Sequence, residues 1–359
     1  MELNYLALAN TILFFGLALV LIFHLVTHWR DPHKQQTKYS EIAYVLYLFA
    51  LGSYILFLFD GVPIWSANLF YGILLGWNVA ILIWLLIPNI LYTYLRVRKN
   101  PKLRSERDYQ KFIDMITHKY DPIEAKDKKD DIIKDLSRKV LHFIQFTCIV
   151  LIHVLATNLN SLFPHLGFTP TMVRNFIYIF IASFFIFMFM VADLYRITNF
   201  EYLPDWAHKW YAKSLEPRNE LWSFNAAAPI LLANLLFIYP GIPTAVMLSA
   251  TFISCVADAL ASMVGKFWGK RKLKGLGNHP NKSYEGLFAG MLSSGLGTFI
   301  IFTVFPVTNI SPLIALACGI FAMVVFFYTD AFATKIGDNV LNSLLSGSGF
   351  LLLLYIFSL

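Results

Sequence analysis

The sequence predicts an all-α, polytopic transmembrane bundle of about ten helices, and three observations predict it. Of its 359 residues, 57% are hydrophobic and 14% charged, with a mean hydropathy of +0.59, far outside the usual range for a soluble globular domain. The apolar residues are gathered into runs such as Leu13 to Val26, Ile42 to Phe59, Phe70 to Leu95 and Phe176 to Ala192. Such runs approach the roughly 20 residues that an α-helix needs to cross the hydrocarbon core. Finally, Lys and Arg segregate to alternate loops. Barrel strands are not indicated, because the alternating segments of about ten residues that build a membrane barrel are missing, and a lone span must satisfy its own backbone amides as a helix does.

Taken in order, the spans read as about 5–27, 42–60, 68–95, 139–159, 173–194, 221–239, 242–262, 284–306, 312–328 and 345–358. The first is expected to be a retained helix rather than a signal peptide, since no positively charged segment precedes it and no small-residue cleavage site follows. Ten spans with both termini on the non-cytoplasmic side put loops 28–41, 96–138, 195–220, 263–283 and 329–344 inside. Those loops hold 28 of the 29 Lys and Arg when Lys139 at a helix mouth is included, and Arg174 alone falls outside. One missed helix would invert every later loop, so the charge asymmetry supports the count. The long loop 96–138 carries charges of both signs and is expected to be a surface helix or flexible linker. It separates a three-helix region, 1–95, from a seven-helix region, 139–359.

The net charge of +7 and the pI near 9.1 suit a membrane surface with anionic headgroups and require no nucleic acid. Cys148, Cys255 and Cys318 lie far apart in apolar segments, which suggests packing residues rather than disulfides or a zinc site.

Ionisable residues at the mouths of membrane helices ask for a reason, because each costs about 2.5 to 3.5 kcal/mol at a helix centre on insertion scales. All of them gather on the inside face. Arg138, Lys139 and His142 share one side of a helix start, either as interfacial anchors with an incidental His or as part of a site. Asp193 and Arg196 stand at i, i+3, either as a structural ion pair at a helix end or as part of a site; Arg218 and Glu220 follow. Asp258 lies within the apolar stretch Val246 to Val264 with Ser262 one turn on, and reads as functional. From there to Gly286 the chain joins an acid, small residues, the basic turn of Gly265, Gly269, Lys270, Arg271 and Lys272, and then Lys282, Ser283, Glu285 and Gly286. Such a stretch suits a metal-bound polyphosphate: a carboxylate for Mg²⁺, glycines for close approach, and cations for phosphate charge. It is not a Walker A loop, because only three residues separate Gly265 from Gly269 and Arg271 follows Lys270.

The stretch from Asp258 to Gly286 resembles the signature of the dolichol kinase, phytol kinase and CTP-dependent diacylglycerol kinase family. The resemblance extends to Ser137 through His142, to Asp193 with Arg196, to Glu220, and to Asp338 with Asn339; the Pro that often follows that last pair is missing. It covers residues 135 to 345 and implies a multi-pass membrane enzyme, in the endoplasmic reticulum membrane of a eukaryote or the cell membrane of a prokaryote. The implied reaction moves the terminal phosphate of CTP, with Mg²⁺, to the hydroxyl of a membrane lipid alcohol on the cytosolic side. By this resemblance Asp258 and Asp338 hold the metal; Lys282 and the basic turn contact phosphates; Arg138 and Lys139 line the opposing wall. Either His142 or Asp193 accepts the hydroxyl proton. The same stretch is similar to CDP-diacylglycerol synthases, whose reaction is cytidylyl transfer to phosphatidate. Those enzymes carry Lys-Arg and Lys-Asp after a late Gly-Asp, whereas no Lys or Arg follows Gly337-Asp338 here. A transporter would favour two repeated halves with broken helices at the midplane, and no such repeat is read.

Overall fold

The computed structural model describes residues 4–30, 38–119, 128–159, 167–215, 221–222, 224, 231, 233–239, 241–273, 282–305, 310–332 and 337–358. Every regular element among them is helical. In chain order these are α1 (Tyr5–Thr27), α2 (Lys38–Ile55), α3 (Ile64–Lys99), α4 (Pro101–Glu106), α5 (Tyr109–Lys119) and α6 (Lys128–Leu159). There follow α7 (Pro170–Thr198), α8 (Asp205–Ser214), α9 (Thr244–Phe267), α10 (Tyr284–Val304), α11 (Pro312–Phe332) and α12 (Asp338–Ser358). Seven of the described helices, α1, α3, α7, α9, α10, α11 and α12, are long and apolar enough to cross a membrane. Within the expected span at 221–239, residues 223, 225–230 and 232 lie outside the described residues, and Leu236–Ile238 forms a 3-10 turn. The expected span at 42–60 corresponds to α2, which ends at Ile55 because the chain turns through Gly61, at φ +78°, to Pro63. In the long charged loop, α4, α5 and the start of α6 are helical.

Two compact units divide the chain, Met1–Asp131 with Ile179–Leu231, and Ile132–Tyr178 with Leu232–Leu359. In the first unit, buried polar side chains tie the N-terminal helices. Asn10 of α1 donates to the Tyr71 carbonyl of α3 (3.0 Å), and Thr11 donates to the Gly52 carbonyl of α2 (2.8 Å). With no water to compete, such bonds hold membrane helices that the hydrophobic effect alone would not. A π turn at Ile81–Leu86 precedes Pro88, whose ring and missing N–H disrupt the regular ladder one turn earlier. Beyond the apolar spans, Phe112, Ile116, Phe200, Leu203, Ala207 and Tyr211 form a small core of α5, α8 and the turn between α7 and α8.

In the second unit α9 is central: its apolar window is 83% buried, against 39% for α10, α11 and α12. Small residues set the spacing. A Cβ added at Gly290 or Gly297 of α10 would fall 2.2 Å from Phe326 or 2.1 Å from Phe252, so these aromatic rings occupy the space that a side chain would need. A second π turn, Ile253–Ala257, interrupts α9 immediately before Asp258, a kind of bulge that recurs at functional sites.

Candidate active site

Four elements of the second unit deliver charged side chains to one place. Asp258 follows the π turn of α9 and is 8% exposed; Lys139, on α6, donates to its Oδ2 at 2.5 Å. Asp330 sits in the last turn of α11 and Asp338 opens α12. Carboxylate oxygens of Asp258, Asp330 and Asp338 all lie within 4.8 Å of one another.

Lys282 is aimed at this cluster by its local backbone. Residues Lys272 and Ser283 form an isolated antiparallel bridge, with Leu273 N donating to the Lys282 carbonyl and Tyr284 N to the Arg271 carbonyl, both at 2.9 Å. Ser283 then caps α10 by accepting from Gly286 N at 3.2 Å. So fixed, the Lys282 ammonium donates to Asp330 Oδ1 (2.6 Å) and to the Asp330 carbonyl (3.1 Å), and stands 3.8 Å from Asp338 Oδ2. The carbonyl bond also satisfies one of the orphan acceptors at the end of α11. Burial pulls the Lys282 pKa down, but the carboxylates of Asp338 and Asp330 more than offset it, and the ammonium stays charged at neutral pH.

Among the described residues, three carboxylates meet the ammonium groups of Lys139 and Lys282 in a largely buried setting, where Coulomb energies are several-fold larger than in water. Hard oxygen donors fit a divalent cation such as Mg²⁺, whose ligand oxygens span up to about 4.2 Å across the ion, close to the spread seen here. His142, one turn after Lys139 on α6, is near enough to act electrostatically on Asp258.

Of the residues singled out from sequence, Asp258, Lys139, His142, Lys282 and Asp338 are thus brought together. Gly265, Gly269 and Gly286 serve a close contact of the α9 end with the α10 start. A Cβ at Gly269 would fall 2.6 Å from Ser283 Oγ, and one at Gly286 would fall 2.6 Å from the Ala261 carbonyl. Glu285 accepts from the Arg271 backbone N–H at 3.2 Å and so braces the basic turn, whose Lys270, Arg271 and Lys272 side chains are exposed; Ser262 is half-buried. Arg138 and Asn339 lie in α6 and α12 with side chains outside the described set, and Arg218 and Glu220 lie outside the described residues.

Asp193 and Arg196 belong to the first unit and are fully buried there. The Arg196 guanidinium lies 3.0 Å from Asp193 Oδ1, donates to the Leu221 carbonyl at 2.5 Å and to the Tyr109 hydroxyl at 3.2 Å, and covers the Tyr211 ring at 4.9 Å.

Sequence reasoning missed Asp330. Its signal was an acid eight residues before Asp338 at the end of an apolar run. Also unforeseen is a buried polar row behind the cluster: Thr329 donates to Asn342, the Ser254 and Ser343 hydroxyls meet at 2.6 Å, and Ser343 donates to Asn234 at 2.9 Å. No family description, no curated protein and no solved structure matches this chain.

Proposed function

We propose that this chain is a CTP-dependent kinase that phosphorylates the hydroxyl of a membrane lipid alcohol, with dolichol or another polyprenol first among substrates, then phytol or farnesol, or diacylglycerol. The observation that carries the reading is the meeting of Asp258, Asp330 and Asp338 with Lys139 and Lys282 at the ends of apolar helices. A polyphosphate needs cations and a metal, a lipid needs hydrocarbon access, and this cluster offers both within one bundle.

Asp258, Asp330 and Asp338 would hold Mg²⁺, which when bound neutralises charge on the phosphate oxygens. Lys282 and Lys139, already drawn to these carboxylates, would turn toward phosphate oxygens once the acids are neutralised. The exposed Lys270, Arg271 and Lys272 would gather the outlying phosphates and nucleoside from the cytosolic side. In the transfer, the lipid hydroxyl oxygen forms a bond to the terminal phosphorus as the bond from that phosphorus to the bridging oxygen breaks. CDP leaves, and the hydroxyl proton passes to a base. His142 is the base we favour, because it is near enough to act electrostatically on Asp258, whereas Asp193 is already committed to Arg196.

The test is transfer of label by the purified protein, with Mg²⁺, from γ-labelled CTP to polyprenol, phytol and diacylglycerol in micelles. A parallel arm contains α-labelled CTP and phosphatidate. Label from the γ position in one lipid is the expected result. Label only from the α position, in phosphatidate, would replace the kinase with a cytidylyltransferase.

A further inference from the structure

A pocket unrelated to the carboxylate cluster lies in the first unit, where α1 begins, α2 ends and α3 begins. Its volume is about 440 Å³, and its lining includes Asn4, Phe57, Phe59, Asp60 and Tyr71. The turn that forms it is held in place: the Tyr71 hydroxyl donates to the Ile55 carbonyl at 2.7 Å and accepts from Phe59 N at 3.3 Å. The rings of Phe59 and Tyr71 pack edge to face with centroids 5.0 Å apart, and Phe57 is half-open to the surroundings.

The polar groups of this pocket are not equivalent. Asn4 is used up, its oxygen capping α1 through Leu6 N and Ala7 N and its nitrogen donating to Asn68 at 2.8 Å. Asp60 is different: among the described residues no cation faces its exposed carboxylate, and no Lys or Arg lines the pocket. Among the described residues the pocket thus offers a charge partner to a cation and none to an anion. An ammonium group would gain the carboxylate, with the aromatic residues Phe57, Phe59 and Tyr71 in the same lining. The pocket lies at the ends of apolar helices, and Tyr5, Ile64 and Trp65 beside it are exposed, as residues of a membrane–water boundary are. A ligand held there by its head would keep its tails in hydrocarbon.

We infer that this pocket binds the ammonium headgroup of a phospholipid. The site is separate in sequence and chemistry from the carboxylate cluster and does not depend on the kinase reading.

The experiment is lipid retention by the full-length protein in detergent, followed by native mass spectrometry, with phosphatidylethanolamine titrated against phosphatidylglycerol of the same acyl chains. Phosphatidylethanolamine should be retained preferentially, and Asp60→Asn should weaken that retention about five- to tenfold while leaving phosphatidylglycerol unchanged. Should Asp60→Asn fail to fold, Phe57→Leu, a change at a half-open ring, is expected to reduce the preference about two- to threefold. Equal retention of the two lipids by the unaltered protein, or an undiminished preference in the variant that folds, would overturn the assignment.

Discussion

Two groups of buried charge, one in each unit, are built on opposite principles. The Asp193–Arg196 pair is closed: both residues are fully buried, and the guanidinium reaches a carboxylate, a carbonyl, a hydroxyl and an aromatic face. The Asp258, Asp330 and Asp338 cluster is open: among the described residues three acids share the ammonium groups of Lys139 and Lys282, and the side chains of Lys282 and Asp338 remain 32% and 37% accessible. A closed pair has nothing left to offer a ligand, whereas an accessible cluster of acids does. The presence of a buried charge therefore does not separate a structural role from a functional one; its accessibility does.

The sharpest way to break this comparison is to remove one charge from each group. Asp258→Asn and Asp330→Asn should each lower kcat for γ-phosphate transfer on the order of 10³-fold, as loss of a major electrostatic contact at a reacting phosphate does. The melting temperature in detergent should fall less than on breaking the closed pair, since relief of carboxylate repulsion offsets part of the lost contact to Lys139 or Lys282. Full activity in either variant would show that the open cluster is not where chemistry happens. Arg196→Met should do the reverse. It strands a buried carboxylate and should cost about 3–5 kcal/mol of stability, read as a drop in melting temperature, while the double variant Asp193→Leu with Arg196→Met should recover most of it. If that double variant is stable and active, Asp193 is excluded as the proton acceptor; if it is stable and inactive, the closed pair has a role its geometry does not suggest.

The glycines sharpen the comparison at a smaller scale. Gly269→Ala would put its Cβ 2.0 Å from the Gly265 carbonyl and 2.6 Å from Ser283 Oγ. Backbone cannot yield as a flexible side chain does, so the variant should lose about 1–3 kcal/mol and displace the turn that aims Lys282. Unchanged stability and activity would mean that the turn tolerates movement and that Lys282 is not held to its target by it.

Much of this arrangement was legible in the sequence because membranes simplify the rules. Runs of apolar residues with basic loops mark the spans, and an acid inside such a run, as at Asp258, is conspicuous against it. Asp330 was not, because the apolar run of α11 was read as ending at 328, which left the acid as an ordinary loop residue; its meaning comes from the return of α12 beside α11, which sequence order does not express. The glycines were read by chemistry, as room for phosphates, whereas their nearest neighbours are Ser283, Ala261 and one another. The π turn before Asp258 left no trace in Ile253 to Ala257, which are ordinary span residues. In the first unit, the pairing of Asp193 with Arg196 was written in their i, i+3 spacing, but the completeness of the pairing, which decides its character, required Tyr109, Tyr211 and Leu221 from distant segments.

The smallest effect tests where the open site ends. Ser283 caps α10, and loss of such a cap costs about 1 kcal/mol, so Ser283→Ala should lower stability by that amount. Ser283 also follows Lys282 directly, where a hydroxyl could reach a phosphate. The two roles part in the kinetics. If the hydroxyl only caps the helix, KM for CTP stays unchanged in Ser283→Ala, and Ser283→Asp, which restores a capping oxygen, recovers the stability. If it contacts phosphate, KM rises several-fold in Ser283→Ala and further in Ser283→Asp, because the added carboxylate repels the ligand. The cap geometry, with Ser283 oxygen already accepting from Gly286 N, makes the first outcome the expected one.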